Sequence, residues 1–173
     1  MREYFLHTER INFSRWTQDD YDLAFLLWGD ENVTRYISKT GEFSEEEIKK
    51  RLSLEIENFN KFDVQYWPIF EKETEELIGC CGLRPYEIEK RIYEIGFHLR
   101  HKYWGKGLAS EAARAAIQYS RDILNAASLF AGHNPNNTDS KKILGKLGFD
   151  YTGDEFYEPT GLYHPSYKYS FPN

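Results

Sequence analysis

A strand that ends in a glycine-rich turn and leads into a helix is the feature that most constrains this chain. Apolar side chains alternate with polar or small ones over residues 93–100, which predicts a strand with one polar face. The turn Trp104-Gly105-Lys106-Gly107 follows, and an alanine-rich segment to about Arg121 predicts a helix. Such a junction favours anions, because the first N–H groups of a helix lack internal partners and glycines allow close backbone approach.

Charge supports an anion site at this junction. The window from His98 to Arg114 carries a net charge of +3, whereas the whole chain carries −6 with a pI near 5.4. An anion would therefore be drawn to this window. The acidic chain as a whole argues against a generic nucleic-acid binder, so we expect no nucleic-acid partner.

Two common phosphate motifs do not fit. The P-loop string Gly-x4-Gly-Lys-Ser/Thr is missing from the sequence, and Ser110 occupies the third glycine position of a dinucleotide-binding fingerprint. A lone Gly-x-Gly is weak on its own, since a helix that merely starts after a tight turn also explains it.

The remaining patterns predict one domain over residues 1–173. Apolar residues make up 40% of the chain and charged residues 29%, which is enough for a packed core, and we find no repeat or linker. The predicted element order is βααβββαβαββ, an α/β fold with a mixed, largely antiparallel sheet and helices on both faces. The predicted segments are a strand over 8–16, helices after Thr17 and over 45–62, strands over 66–71, 76–86 and 93–100, a helix to about 121, a strand over 128–132, a helix over 138–147 and an antiparallel hairpin over 149–171.

The cysteines predict neither a metal site nor a disulfide. Cys80 and Cys81 are adjacent, so on a strand they point to opposite faces, and no second pair exists for zinc. We interpret them as reduced thiols of a cytoplasmic protein; a catalytic cysteine is the weaker alternative. The first residues show no signal-peptide pattern, and no stretch has the length of a membrane span, so we expect no membrane partner.

Longer strings carry a resemblance. Lys102-Tyr103-Trp104-Gly105-Lys106-Gly107 fills the frame Gln/Arg-x-x-Gly-x-Gly/Ala, with Lys in the first slot, and the segment Asn134–Ser140 with Leu147-Gly148-Phe149 resembles Asn-x-x-Ser … Gly-Phe. With these motifs the chain resembles the GNAT superfamily of acyl-CoA-dependent N-acetyltransferases, in particular the branch of ribosomal-protein N-terminal acetyltransferases.

The resemblance implies a splayed sheet and acetyl-CoA as co-substrate, with no metal. The pantetheine arm would pair with the strand at Phe97–Arg100, the pyrophosphate would lie on the amides of Gly105–Ala109, and Asn137 would lie near the thioester. The cofactor-binding residues implied are Phe97, His98, Leu99, Arg100, Lys102, Gly105, Lys106, Gly107, Leu108, Ala109, Asn137 and Ser140.

Glu94 and Ser140 are the predicted catalytic residues. Glu94 lies on the polar face of the strand and could remove the amine proton through water, with His98 as the alternative base. A backbone N–H near His98 would polarise the carbonyl. Many members of the superfamily carry a leaving-group tyrosine where this chain has Leu144, so the thiolate would rely on the Ser140 hydroxyl.

Several alternatives stay open. The acceptor is a primary amine, either a protein N-terminus or a small molecule, and an inactive acyl-CoA sensor is the alternative function. The acidic helix over Glu45–Glu57 is either a solvated face or an attractor of a cationic acceptor. The aromatic tail walls the acceptor pocket or forms a dimer contact, and the chain is a monomer or a homodimer; the tail residues are Tyr157, Tyr163, His164 and Tyr167.

Overall fold

An eight-stranded sheet organises the computed structural model, which describes residues 1–172 and so leaves the last residue of the predicted domain 1–173 outside it. The strands lie in the order β1-β2-β3-β4-β5-β6-β8-β7, and among the described strands only β5 and β6 pair in parallel. The prediction of a mixed, largely antiparallel α/β fold is therefore confirmed. The strands are β1 (Leu6–His7), β2 (Ile11–Phe13), β3 (Tyr66–Glu71), β4 (Leu77–Glu87), β5 (Ile92–Leu99), β6 (Ser128–Gly132), β7 (Asp150–Tyr157) and β8 (Leu162–Ser170).

Within residues 1–172, five α-helices accompany the sheet: α1 (Tyr21–Trp28), α2 (Glu31–Thr34), α3 (Glu45–Phe62), α4 (Leu108–Asp122) and α5 (Thr138–Leu147). Local signals set their ends. Ser44 and Glu47 form the predicted capping box of α3, and Gly148 ends α5 with a φ of 91°. None of the helices within residues 1–172 is both long and apolar enough to cross a membrane.

The two faces of the sheet bury separate apolar cores. On one face the alanines of α4 let the helix approach β4 and β5 closely, around Trp67, Cys81 and Leu83. On the other face Cys80 belongs to the core that includes Trp28 of α1. The adjacent cysteines thus point to opposite faces as predicted, and both are free and buried.

The amino-terminal region differs from its prediction. The predicted strand over 8–16 is reduced to Ile11–Phe13, and a short β1 precedes it. A tight turn separates the two strands, closed by the Thr8 N–H bonding to the Ile11 carbonyl at 2.9 Å. Helix α2 was not predicted as a separate element, although Asp30 caps it by accepting the Asn32 N–H at 2.9 Å.

The sheet splits between β5 and β6. The two strands pair only at Ile92↔Ser128, Tyr93↔Leu129 and Glu94↔Phe130. Beyond Glu94, β5 continues to Leu99 on its β4 side, while β6 stays paired with β8 as far as Gly132. The separation leaves a wedge-shaped gap, and α5 follows β6 directly across it.

Candidate active site

A continuous cleft follows the gap between β5 and β6. It consists of two adjoining pockets, one of about 290 Å³ beside Glu94 and one of about 530 Å³ beside the amino end of α4. We call them the inner and outer pockets. Both are lined by Tyr36, Phe97, His98, Asn137 and Ser140, so a single elongated molecule could occupy them together.

The outer pocket ends at an uncapped helix terminus. Gly107 is the N-cap of α4, and it has no side chain to accept a hydrogen bond from the first N–H groups of the helix. The backbone φ is 72° at Gly105 and 77° at Gly107, a left-handed conformation that favours glycine. The free N–H groups that follow face a pocket lined by Leu108, Ala109 and Ser110. These residues fit a phosphate group.

Most of the predicted cofactor-binding residues line the outer pocket, but three basic ones do not. Arg100 donates to the Leu77 carbonyl at 2.8 Å, and the Lys102 ammonium lies 2.9 Å from a carboxylate oxygen of Glu76. The Lys106 ammonium lies over the Tyr103 ring, 5.5 Å from its centroid. The lining residues among the predicted set are Phe97, His98, Leu99, Gly105, Gly107, Leu108, Ala109, Asn137 and Ser140.

Two lysines that sequence reasoning missed line the outer pocket. Lys142 and Lys146 lie on α5, one turn apart, and share the pocket wall with Asp139 and Ile143. Their spacing from Asp139, three and seven residues, places them on one face of the helix and was the available signal. They supply side-chain positive charge from α5, whereas Arg100, Lys102 and Lys106 of the basic window do not line the pocket.

Glu94 lies in the inner pocket, on the face of the sheet that carries α3. Its Oε1 accepts a hydrogen bond from the Tyr66 hydroxyl at 3.2 Å. Burial raises the pKa of the Glu94 carboxyl, while the Arg84 guanidinium and the Tyr66 hydroxyl act to lower it. The result is a carboxylate whose affinity for a proton is greater than that of an exposed one.

His98 stands on the same face and is neutral. Burial lowers the pKa of its imidazole well below the usual range, and the nearby Arg51 and Arg84 act in the same direction. The Trp28 indole, which can only donate, lies with Nε1 3.4 Å from His98 Nδ1. The neutral ring therefore carries its proton on Nε2.

Ser140 lies in the first turn of α5 and lines both pockets. Its backbone N–H donates to Asn137 Oδ1 at 3.2 Å, so the Asn137 side chain caps the helix. Leu144 lies one turn further, buried and on the wall of the inner pocket. The position that carries a tyrosine in many GNAT enzymes is thus occupied by an apolar side chain.

The aromatic tail divides between the cleft and the surface. Tyr157 and His164 line the inner pocket, whereas Tyr163 is 65% exposed. Tyr167 is buried, and its hydroxyl lies 3.0 Å from His133 Nε2. The hairpin therefore supplies one wall of the inner pocket and also presents rings to solvent.

The interpretation of the acidic helix as solvated is wrong at Glu55. This side chain is fully buried, with its Oε2 3.2 Å from Arg51 Nε and 2.6 Å from Arg84 Nη2. Glu55 follows the apolar Ile48 and Leu52 at helical spacing, which was the signal that it faces inward.

The fold also brings Cys80 close to His98, with Sγ 3.6 Å from Nδ1. Sequence spacing did not predict this contact. Burial raises the pKa of Cys80 to about 12, so the thiol keeps its proton at neutral pH. Cys80 consequently packs in the apolar core as a protonated thiol. Within residues 1–172, no cluster of three or more His, Cys, Asp or Glu side chains is placed to hold a metal ion.

Comparison with known proteins identifies the family. The Acetyltransferase (GNAT) domain matches residues 10–150. The chain belongs to the GNAT acetyltransferase family. This GNAT chain is 32% identical over 148 residues to N-acetyltransferase p20 of Bacillus licheniformis, covering 86% of the chain and 83% of the relative.

The resemblance to the GNAT superfamily is confirmed, and proteins named as ribosomal-protein acetyltransferases are among those that the chain is similar to. The chain is 29% identical over 91 residues to the ribosomal protein uS5-alanine N-acetyltransferase of Escherichia coli, covering 51% of the chain and 46% of the relative. The solved structure of the ribosomal L7/L12 α-N-protein acetyltransferase RimL with coenzyme A aligns with a TM-score of 0.81 at 15% identity, covering 97% of this chain and 98% of that one. At that identity the likeness shows the fold alone. The GNAT chain is an N-acetyltransferase.

Proposed function

We propose that the chain is a single domain over residues 1–173 that transfers an acetyl group from acetyl-CoA directly to a primary amine. The observation that carries this proposal is the continuous cleft joining the uncapped end of α4 to the half-buried Glu94 carboxylate. A coenzyme phosphate would bind at one end of the cleft, and an amine would meet a proton acceptor at the other.

Glu94 acts as the base, through a water molecule. A primary ammonium must lose a proton before its nitrogen can attack the thioester, and a carboxylate with a raised pKa is better matched to that task. The new C–N bond forms as the C–S bond breaks, and the electron pair leaves with the sulfur. Backbone N–H near His98 stabilises the negative charge that builds on the carbonyl oxygen.

His98 is the weaker candidate for the base. Its Nδ1 faces the Trp28 indole N–H and its pKa is depressed, so the ring holds a proton on Nε2 and accepts a second one poorly. We assign it to packing and to a donor role within the cleft.

The acceptor is a peptide N-terminus or a small amine. A relative named for acetylating an alanine of a ribosomal protein supports including N-terminal peptides among the acceptors. The inner pocket, about 290 Å³ in volume and walled by Tyr157 and His164, would hold the acceptor.

Release of free coenzyme A thiol, measured against a panel of amines and short peptides, tests the function and identifies the acceptor. Binding is measured in parallel as the rise in melting temperature that acetyl-CoA causes. We expect both. A thermal shift without thiol release from any acceptor would favour an acyl-CoA sensor, and no shift at all would overturn the cofactor assignment.

Ser140→Ala is expected to lower turnover by roughly ten- to a hundredfold. A hydroxyl hydrogen bond to the departing thiolate contributes roughly 1.5–3 kcal/mol, and each 1.36 kcal/mol is about a factor of ten in rate. The loss should shrink with an acyl donor whose thiol is more acidic, because that thiolate needs less stabilisation. Ser140→Thr, which keeps a hydroxyl, is the control. An equal loss with both donors would assign Ser140 to cofactor positioning alone.

A further inference from the structure

Arg84 and Glu94 are direct neighbours across the sheet. They are register partners in the antiparallel β4–β5 pair, so their side chains leave the same face of the sheet. Cβ atoms of such partners lie about 4.5–5.5 Å apart. The guanidinium of Arg84 therefore lies within range to stabilise a negative charge on Glu94.

Tyr66 reaches Glu94 from a more distant strand. Its ring starts on β3 and crosses β4, and its hydroxyl donates to Glu94 on β5. Gly96 makes room for it, since a Cβ at that position would lie 2.4 Å from the Tyr66 hydroxyl oxygen. The Arg84 guanidinium stacks on the Tyr66 ring, 4.2 Å from its centroid.

Glu55, on helix α3, hydrogen-bonds to both arginines and to the Tyr66 backbone. Its Oε2 accepts from Arg84 Nη2 and Arg51 Nε, and its Oε1 accepts the backbone N–H of Tyr66 at 2.9 Å. One buried carboxylate thus fixes two arginines and the strand that carries Tyr66. Removing a partner from such a buried cluster leaves an uncompensated charge, so these residues act together.

We propose that Tyr66, Arg84 and Glu55 are positioning residues for the Glu94 carboxylate. Tyr66 and Arg84 aim it into the cleft and favour its ionised form, and Glu55 holds Arg84 and the Tyr66 backbone in place. This inference rests on the proposed role of Glu94 as the base. The other charged or titratable groups on the wall of the inner pocket are Arg51 on α3, Tyr86 on β4, the neutral His98 on β5, Glu155 and Tyr157 on β7, His164 on β8, and Tyr36 and His133 in the segments that follow α2 and β6.

The charges in this cluster determine the direction in which each substitution should move the pH profile. Arg84→Met removes a cation that favours the ionised carboxylate, so the acidic limb of the pH profile of kcat/KM should move upward, by about one pH unit. Tyr66→Phe keeps the ring and removes only the hydroxyl, and it should move the limb upward by less. Glu55→Gln removes a buried anion, so the limb should move downward.

The experiment measures these pH profiles together with a direct titration of Glu94 by carboxyl ¹³C NMR, assigned with Glu94→Gln. Lys50→Met is the matched control, because it removes an exposed cation from α3 that pairs with the exposed Glu46. We expect its limb to match that of the wild type. A general loss of packing would not be expected to move the acidic limb in opposite directions in Arg84→Met and Glu55→Gln.

The failures are distinguishable. The positioning role would be overturned if Tyr66→Phe and every folded variant of Arg84 and Glu55 kept the wild-type acidic limb and the wild-type titration of Glu94. Wild-type turnover in Glu94→Gln would instead overturn the proposed base. If Arg84→Met does not fold, the Tyr66→Phe titration alone decides, because that variant leaves the buried charges paired.

Discussion

Glu94→Gln is expected to lower kcat/KM by at least about a hundredfold, the usual cost of losing a general base. Glutamine keeps the shape of the side chain and still accepts from Tyr66, but it cannot take a proton. Affinity for acetyl-CoA should change little, since the carboxylate lies in the inner pocket, away from the α4 terminus.

Steady-state thiol release across pH checks this prediction. The base works when ionised, so wild-type activity should fall as the pH drops through the Glu94 pKa, which burial places above the ordinary carboxyl value of about 4.3. The variant should lose that acidic limb. Glu87→Gln, which changes an exposed carboxylate on the same sheet, is the control. Wild-type turnover in Glu94→Gln would transfer the role to His98 or to bulk water.

Gly107→Val is expected to abolish measurable binding of acetyl-CoA. Valine at a φ of 77° is strained, and its branched side chain would stand where a phosphate must approach the amides of α4. The added Cβ would also lie 3.6 Å from Arg10 Nη2, a side chain that supports the turn by donating through Nη1 to the Lys106 carbonyl at 3.0 Å.

Calorimetric titration and the thermal shift with acetyl-CoA measure the effect, with circular dichroism to confirm the fold. Gly145→Val is the matched control, because nothing lies within 4 Å of a Cβ built there and its φ is ordinary for a helix. Unchanged affinity in a folded Gly107→Val protein would remove the turn from the cofactor site.

Local features of the site could be predicted from the sequence, whereas contacts between strands of the sheet could not. The strand, turn and start of α4 lie within about twenty consecutive residues, and glycine, charge and periodicity act over that range. The contact between Tyr66 and Glu94 depends on the register of three strands, which spacing along the chain does not encode. The same holds for Cys80 and His98.

Charge windows had a similar limit. Basic residues are concentrated near the turn in the sequence, but the sequence does not predict where their side chains point. Arg100 satisfies a backbone carbonyl of β4, and Lys102 pairs with Glu76, so neither lines the outer pocket. The lysines that do line it come from α5, which reaches the cleft only because β5 and β6 separate.

That separation also has a thermodynamic consequence. Beyond Glu94 the edge of β5 lacks a strand partner on the β6 side, so its outward backbone groups depend on solvent until something pairs with them. A molecule that binds this edge adds RT ln(1 + [L]/Kd) to the folding free energy, about 2.7 kcal/mol at a hundredfold excess over Kd. Amide hydrogens of residues 95–99 that face the gap should therefore exchange fast in the free protein and slowly once it is saturated, which makes this inner edge a reporter of cofactor supply.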